Sequence, residues 1–186
     1  MATIEDGKGK NGKASVSSVQ RLNVSSKTAP RMFYASRDFG LAYNAVYDNI
    51  TSAAGEYTAY LKNTSSTRNM FINHIEFHSA ESVKWKIWHV SGTAASGETV
   101  TPTETNLSKN IPAEAIAMAG DTAITGLTNI AQVGTHRSEA FGDSEMEWSG
   151  ALILGPGDAI AVEYDTGTSG LCSHDIFFWY EGLGDS

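Results

Sequence analysis

The residues best placed for chemistry are His74-Ile75-Glu76-Phe77-His78. On a strand, residues i, i+2 and i+4 share a face, so His74, Glu76 and His78 form a ladder. Two imidazoles and a carboxylate are a ligand set for a divalent metal. Same-face neighbours on one strand diverge, however, and a third element would have to converge on them. Alternation of this kind more often gives a polar face turned to water. That reading is adopted here, with no metal and no cofactor assigned; a metal-dependent enzyme built on the ladder is kept as a rival. Asp143, Glu145 and Glu147 could include a glycosidase pair, but nothing in the sequence fixes a separation between them. A solvated acidic edge is the simpler account. The serines lie in loops without a Gly-x-Ser-x-Gly elbow, and no Gly-rich phosphate loop opens a helix. No catalytic residue is assigned.

The elements that would position such groups are strands. Ser149-Gly150-Ala151-Leu152-Ile153-Leu154 runs into Gly155-Pro156-Gly157-Asp158, and Ala159 to Tyr164 runs out of it. Pro156 presets φ for the second position of a tight turn, and Gly157 supplies the positive φ of the third. Beyond the corner, Ile160, Val162 and Tyr164 alternate with Ala159, Ala161 and Glu163, which predicts one apolar face. A His ladder with a Pro-x-Gly turn invites comparison with the cupin barrel. In the second cupin motif a histidine follows the turn glycine by three residues; Ile160 stands there instead. The first motif's His-x-His spacing is also missing, because Glu76 occupies the place of a histidine.

Further strands are expected over Met32–Ser36, Leu41–Tyr47, Tyr57–Lys62, Met70–Phe77, Val83–Val90 and Ile176–Tyr180, with Asp48–Gly55 as a loop. In Met70–Phe77 the sequence parity puts Phe71, Ile75 and Phe77 on one face. In Val83–Val90, Val83, Trp85 and Ile87 face in and Lys84 and Lys86 face out. Trp88 shares the outward parity and is the candidate surface anchor, since a large aromatic on a wet face often meets a partner. Tyr43, Tyr47, Tyr60 and Trp88 could stack on sugars, or belong to the core or a subunit contact. Phe177, Trp179 and Trp148 are assigned to the core. Residues 91–110 read as a long loop. Pro112–Ala119 reads as a short helix or a strand, with the strand favoured. About nine or ten short strands with scarcely a helix predict an all-β sandwich.

Composition sets the outer limits. The chain has 186 residues, 18 of them Gly, and a net charge of -8. That charge argues against a general nucleic-acid or membrane-surface binder. It is unevenly spread: residues 1–28 carry five basic against two acidic side chains, net +3, which leaves -11 for the rest. A basic segment on an acidic body suits an arm lying on something negative. Its candidate contacts are Lys8, Lys10, Lys13 and Arg21 for steering, with Val16, Leu22 and Val24 for docking. The domain reading is an N-terminal arm over 1–28 and a β-sandwich over 29–186. Cys172 is the only cysteine, so no intrachain disulfide can form, and a buried inert thiol is expected. The start, Met1-Ala2-Thr3-Ile4-Glu5-Asp6, lacks the apolar run of a secretory signal, and no run has the length of a membrane span. Synthesis in a cytoplasm is expected.

The segments Arg31–Arg37, Tyr60–Ser65, Trp85–Trp88, Thr99–Thr103 and Ala151–Tyr164 resemble small virion proteins of tailed bacteriophages. The Leu-x-Leu-x-x-Gly-Asp-x-Ile type of corner is also similar to one in trimeric jelly rolls of the tumour-necrosis-factor and complement type. The resemblance implies a jelly-roll β-sandwich with an extended N-terminal arm. It also implies a capsid decoration or cement protein, a homotrimer that binds the major capsid protein on the outside of an icosahedral head and stabilises the lattice. The expected location is the virion surface, after assembly in the host cytoplasm. The alternative is a trimeric tail- or fibre-associated module that binds host-surface glycans.

Overall fold

The computed structural model describes residues 3–5, 13–16, 22–23, 31–120, 123–166 and 170–182. Two compact units divide the chain, residues 1–30 and residues 31–186. In the first, β1 (Thr3–Glu5), β2 (Lys13–Val16) and β3 (Leu22–Asn23) form an antiparallel sheet in that order. Lys13 lies opposite Glu5 in the register, and Val16 opposite Leu22. Lys8, Lys10, Arg21 and Val24 lie outside the described residues.

The second unit begins with a helical turn, where alternation had predicted a strand. α1 (Arg31–Tyr34) runs into a π-helical turn (Ala35–Phe39), closed by Gly40 at φ 67°. Short runs satisfy periods of 2 and 3.6 alike, and here packing decides. Ala35 forms a buried cluster with Ala42 and Trp179, and Met32, three residues before it, packs against that cluster. The Arg37 guanidinium lies over the rings of Phe33 and Tyr34, 5.1 and 5.0 Å from their centroids.

Eleven strands follow among the described residues: β4 (Ala42–Ser52), β5 (Glu56–Asn63), β6 (Arg68–Ser79), β7 (Val83–Gly92), β8 (Glu98–Val100), β9 (Thr103–Glu104), β10 (Ala115–Ala119), β11 (Leu127–Ser138), β12 (Asp143–Leu154), β13 (Ala159–Thr166) and β14 (Gly170–Gly182). β4 extends to Ser52 through what was expected to be loop, and the segment around Ala115 is the strand rather than the helix. One sheet has the order β11-β7-β13-β5-β10-β8, the other β12-β6-β14-β4-β9, with all pairings antiparallel. The fold is an all-β sandwich. Its interior is filled by Tyr43, Tyr47, Ile75, Phe77, Trp85, Ile87, Ile160, Val162, Phe178 and their neighbours. Tyr47 donates to the Tyr60 carbonyl and Trp85 to Ser138 Oγ, so these two buried polar tips have partners. No described helix is long and apolar enough to cross a membrane.

The Gly155–Asp158 corner passes the chain from one sheet to the other, with Gly157 at φ 88° as its turn type requires. Asp158 N–H bonds the Gly155 carbonyl at 3.0 Å, and Gly155 N–H bonds Asp158 Oδ2 at 3.0 Å. Buried Asn63 ties the corner to β5: its amide donates to the Leu154 and Arg68 carbonyls, both at 2.9 Å, and its Oδ1 accepts from Ser65 N–H.

Candidate functional site: a histidine and carboxylate cluster on an outer sheet face

β6 does not keep one parity along its length. On β14, Phe177 pairs with His74 and Phe178 with Ile72, so Asn73 is an extra residue, a β-bulge. Met70 and Ile72 face the core before it, and Ile75 and Phe77 after it. Phe71 is therefore not on the face of Ile75 and Phe77, as simple alternation predicted. It stacks on Trp179 outside the sheet, centroids 5.4 Å apart and planes 13° apart. The same bulge leaves His74, Glu76 and His78 together on the outer face. β12 answers the bulge with an irregular stretch between Glu147 and Leu152. There Gly150, at φ 83°, passes so close to Trp179 that a Cβ would stand 2.2 Å from its ring.

Strand register then assembles groups that are distant in sequence. Glu145 on β12, Glu76 on β6 and Asp175 on β14 are direct cross-strand neighbours, forming one row of three carboxylates. The rows on either side hold Glu147–His74–Phe177 and Asp143–His78–Ser173. His74 Nε2 is 3.3 Å from Glu76 Oε1, and its ring stacks on Phe177 at 4.3 Å. His78 Nδ1 is 2.9 Å from Asp143 Oδ1, and its Nε2 is 4.0 Å from Glu76 Oε2. Two triplets, His74–Glu76–Glu145 and Glu76–His78–Asp175, each have ligand atoms within 4.8 Å of one another. Burial, then the Glu76 charge, pushes the Asp175 carboxyl above the usual carboxylate range. An open cleft of about 320 Å³, lined by His78, Asp143, Phe141, Leu171, Cys172 and Ser173 among others, adjoins the His78 end.

The other expected site residues fall elsewhere. Trp88 lies on the outer face of the six-stranded sheet, as its parity predicted, half-buried beside Tyr60, Val90 and Ala161. Its indole N–H donates to Glu163 Oε2 at 2.5 Å. Beside it Lys86 and Lys84 grip Asp165, which holds that carboxyl below its usual range. Tyr43, Tyr47 and Tyr60 are buried and offer no platform for a sugar. Phe177 is half-buried on the outer face rather than in the core. Trp179 is buried, but on the outer face beneath the helical turn. Trp148 packs against the core from β12, partly exposed.

Sequence reasoning missed two groups. Asp175 escaped because nothing local joins it to residue 76; only the β6–β14 register does. His174 was legible, since it shares parity with Cys172 and Ile176. It is wholly buried, edge-on to Trp85 and Phe77, with Nε2 2.8 Å from Thr58 Oγ1. The chain matches no family model, no curated protein and no solved structure.

Proposed function

We propose that this protein is a non-catalytic structural component of a tailed-bacteriophage particle, a jelly-roll sandwich that binds the outside of the icosahedral head as an oligomer and reinforces the lattice. The observation that carries this reading is the strand order. β12-β6-β14-β4 faces β11-β7-β13-β5, an order that supports the jelly-roll reading, with β8, β9 and β10 added beyond β4 and β5. The chain connects these strands by repeated crossing between sheets, so the fold presents two broad faces and shallow clefts. The compact unit at residues 1–30, with the basic character of that part of the sequence, supports a capsid-binding element. An oligomer that engages several capsid subunits gains effective concentration, so weak single contacts suffice.

The test is binding to phage heads that lack the protein, by co-sedimentation and by cryo-electron microscopy of the decorated particle. The full chain is expected on the head exterior, and a chain without residues 1–25 is expected to lose occupancy. Unchanged occupancy after that deletion removes the role of the N-terminal unit. Density on the tail, or on no part of the particle, overturns the reading.

A further inference from the structure

We propose that Glu76, His78 and Asp175 bind one divalent transition-metal ion, of the Zn²⁺ or Mn²⁺ class, on the outer face of the five-stranded sheet. This goes beyond the capsid reading and holds or fails independently of it.

Hydrogen bonding tells the two histidines apart. Asn73 presents its amide nitrogen, a donor only, to His74 Nδ1 at 2.8 Å. Nδ1 of His74 therefore carries the lone pair, and Nε2 carries the proton directed at Glu76. His74 thus positions the Glu76 carboxylate. At His78 the polarity is reversed. Asp143, an acceptor, holds Nδ1–H in a hydrogen bond, which leaves Nε2, 4.0 Å from Glu76 Oε2, as the nitrogen that can turn to a metal. A carboxylate holding one imidazole nitrogen while the other faces further carboxylates is the usual support of a metal-bound histidine.

A further observation points to a cation. Like charges directly opposite on adjacent strands repel, yet Glu145, Glu76 and Asp175 occupy one row. Among the described residues, no Lys or Arg forms an ion pair with any of them, although the other face pairs its carboxylates with Lys84 and Lys86. Asn44 on β4 hydrogen-bonds Asp175 through its side chain and so helps to fix that carboxylate. Glu76, His78 and Asp175 are half-buried rather than exposed, so their rotamers are restricted before an ion arrives. One imidazole and two carboxylates favour a borderline metal over Ca²⁺, which takes six to eight oxygens. The adjoining cleft gives the ion an entry path and room for water.

The experiment uses the full chain, stripped with EDTA and dialysed, titrated calorimetrically with ZnCl₂, MnCl₂ and CaCl₂ in turn. Saturable binding of one Zn²⁺ or Mn²⁺ per chain is expected, with Ca²⁺ at least tenfold weaker. His78→Gln and Asp175→Asn each lose at least tenfold in affinity. Asp143→Asn, a change at an exposed side chain that leaves folding intact, loses roughly tenfold through misorientation of His78. Circular dichroism confirms that each variant is folded. The proposal is overturned by no saturable binding of either metal, by equal or tighter Ca²⁺ binding, or by unchanged affinity in folded Asp143→Asn together with His78→Gln. Loss on His74→Gln with retention in Asp175→Asn also overturns it, since it would assign the ion to the strand ladder instead.

Discussion

Lowering the pH from 7.5 to 4.5 should destabilise the sandwich through His174, and the size of the effect follows from its surroundings. Thr58 Oγ1 gives its proton to the Val162 carbonyl, so His174 Nε2–H donates to that hydroxyl, and the ring is wholly buried. Burial first, then the charge of His78, pushes the imidazole down to about 3, against a smaller opposing effect of the Glu76 backbone. In the unfolded chain a histidine titrates near 6.5. Between those values the unfolded state holds a proton that the native state refuses, so stability is complete above the unfolded value and drains away as pH falls. The slope approaches about 1.4 kcal/mol per pH unit, and the loss between pH 7.5 and 4.5 is about 3 kcal/mol. His136, also held low by burial, adds in the same direction. Asp175, held high, opposes it in the carboxylate range. The assay is urea unfolding at half-unit pH steps, in EDTA so that no bound cation contributes, for the wild type and His174→Gln. Glutamine can still donate to Thr58 but does not titrate, so the difference between the two curves isolates one proton. Parallel curves from pH 6.5 to 4.5 would refute the reasoning.

Three other outcomes follow from the packing. Gly157→Val should cost about 1–3 kcal/mol in urea unfolding by backbone strain alone, because φ is 88° while the space around the position is open; Gly157→Asn should recover much of the loss, and equal losses would contradict a conformational cause. Asn63→Ala leaves the Leu154 and Arg68 carbonyls without their donor and should cost about 2–4 kcal/mol with an unchanged denaturant slope; a loss below about 0.5 kcal/mol would show that water replaces the amide. Burial pushes the Cys172 thiol up to about 12, so a thiol-specific reagent should label it at least ~1000-fold more slowly in native buffer than in denaturant, and rapid native labelling would show that β14 opens locally.

What the sequence made legible divides along physical lines. Alternation from Ala159 to Tyr164 and the Pro156-Gly157 corner are determined by nearby residues, and both stand as read. The helical turn at Arg31–Phe39 was not legible, because its apolar residues meet Trp179, more than 140 positions away in the chain. The Asn73 bulge was hidden for a related reason: an extra residue shows only when the partner strand is known. It is this bulge that reverses Phe71 and keeps His74, Glu76 and His78 outside. The ladder itself was readable from one strand. Its completion by Asp143, Glu145 and Asp175 required the register of three strands, which local spacing does not contain.

The two outer faces of the sandwich suggest where a particle surface would be met. On the six-stranded sheet, Ala94 and Ile124 from the β7–β11 connection cover Tyr60, Val90, Ala159 and Ala161, and Lys84 and Lys86 already have carboxylate partners. On the five-stranded sheet, the helical turn covers only the Trp179 end, and the histidine and carboxylate end stays open beside its cleft. If capsid binding runs through this open end, an ion held by Glu76, His78 and Asp175 would set the charge presented to the lattice. EDTA, or Asp175→Asn, should then lower head occupancy measured by co-sedimentation. If binding runs through residues 1–30 alone, the same treatments leave occupancy unchanged while the deletion of residues 1–25 abolishes it. The two treatments therefore separate a metal-dependent face from an arm-dependent one, and occupancy insensitive to both would exclude each as the binding surface.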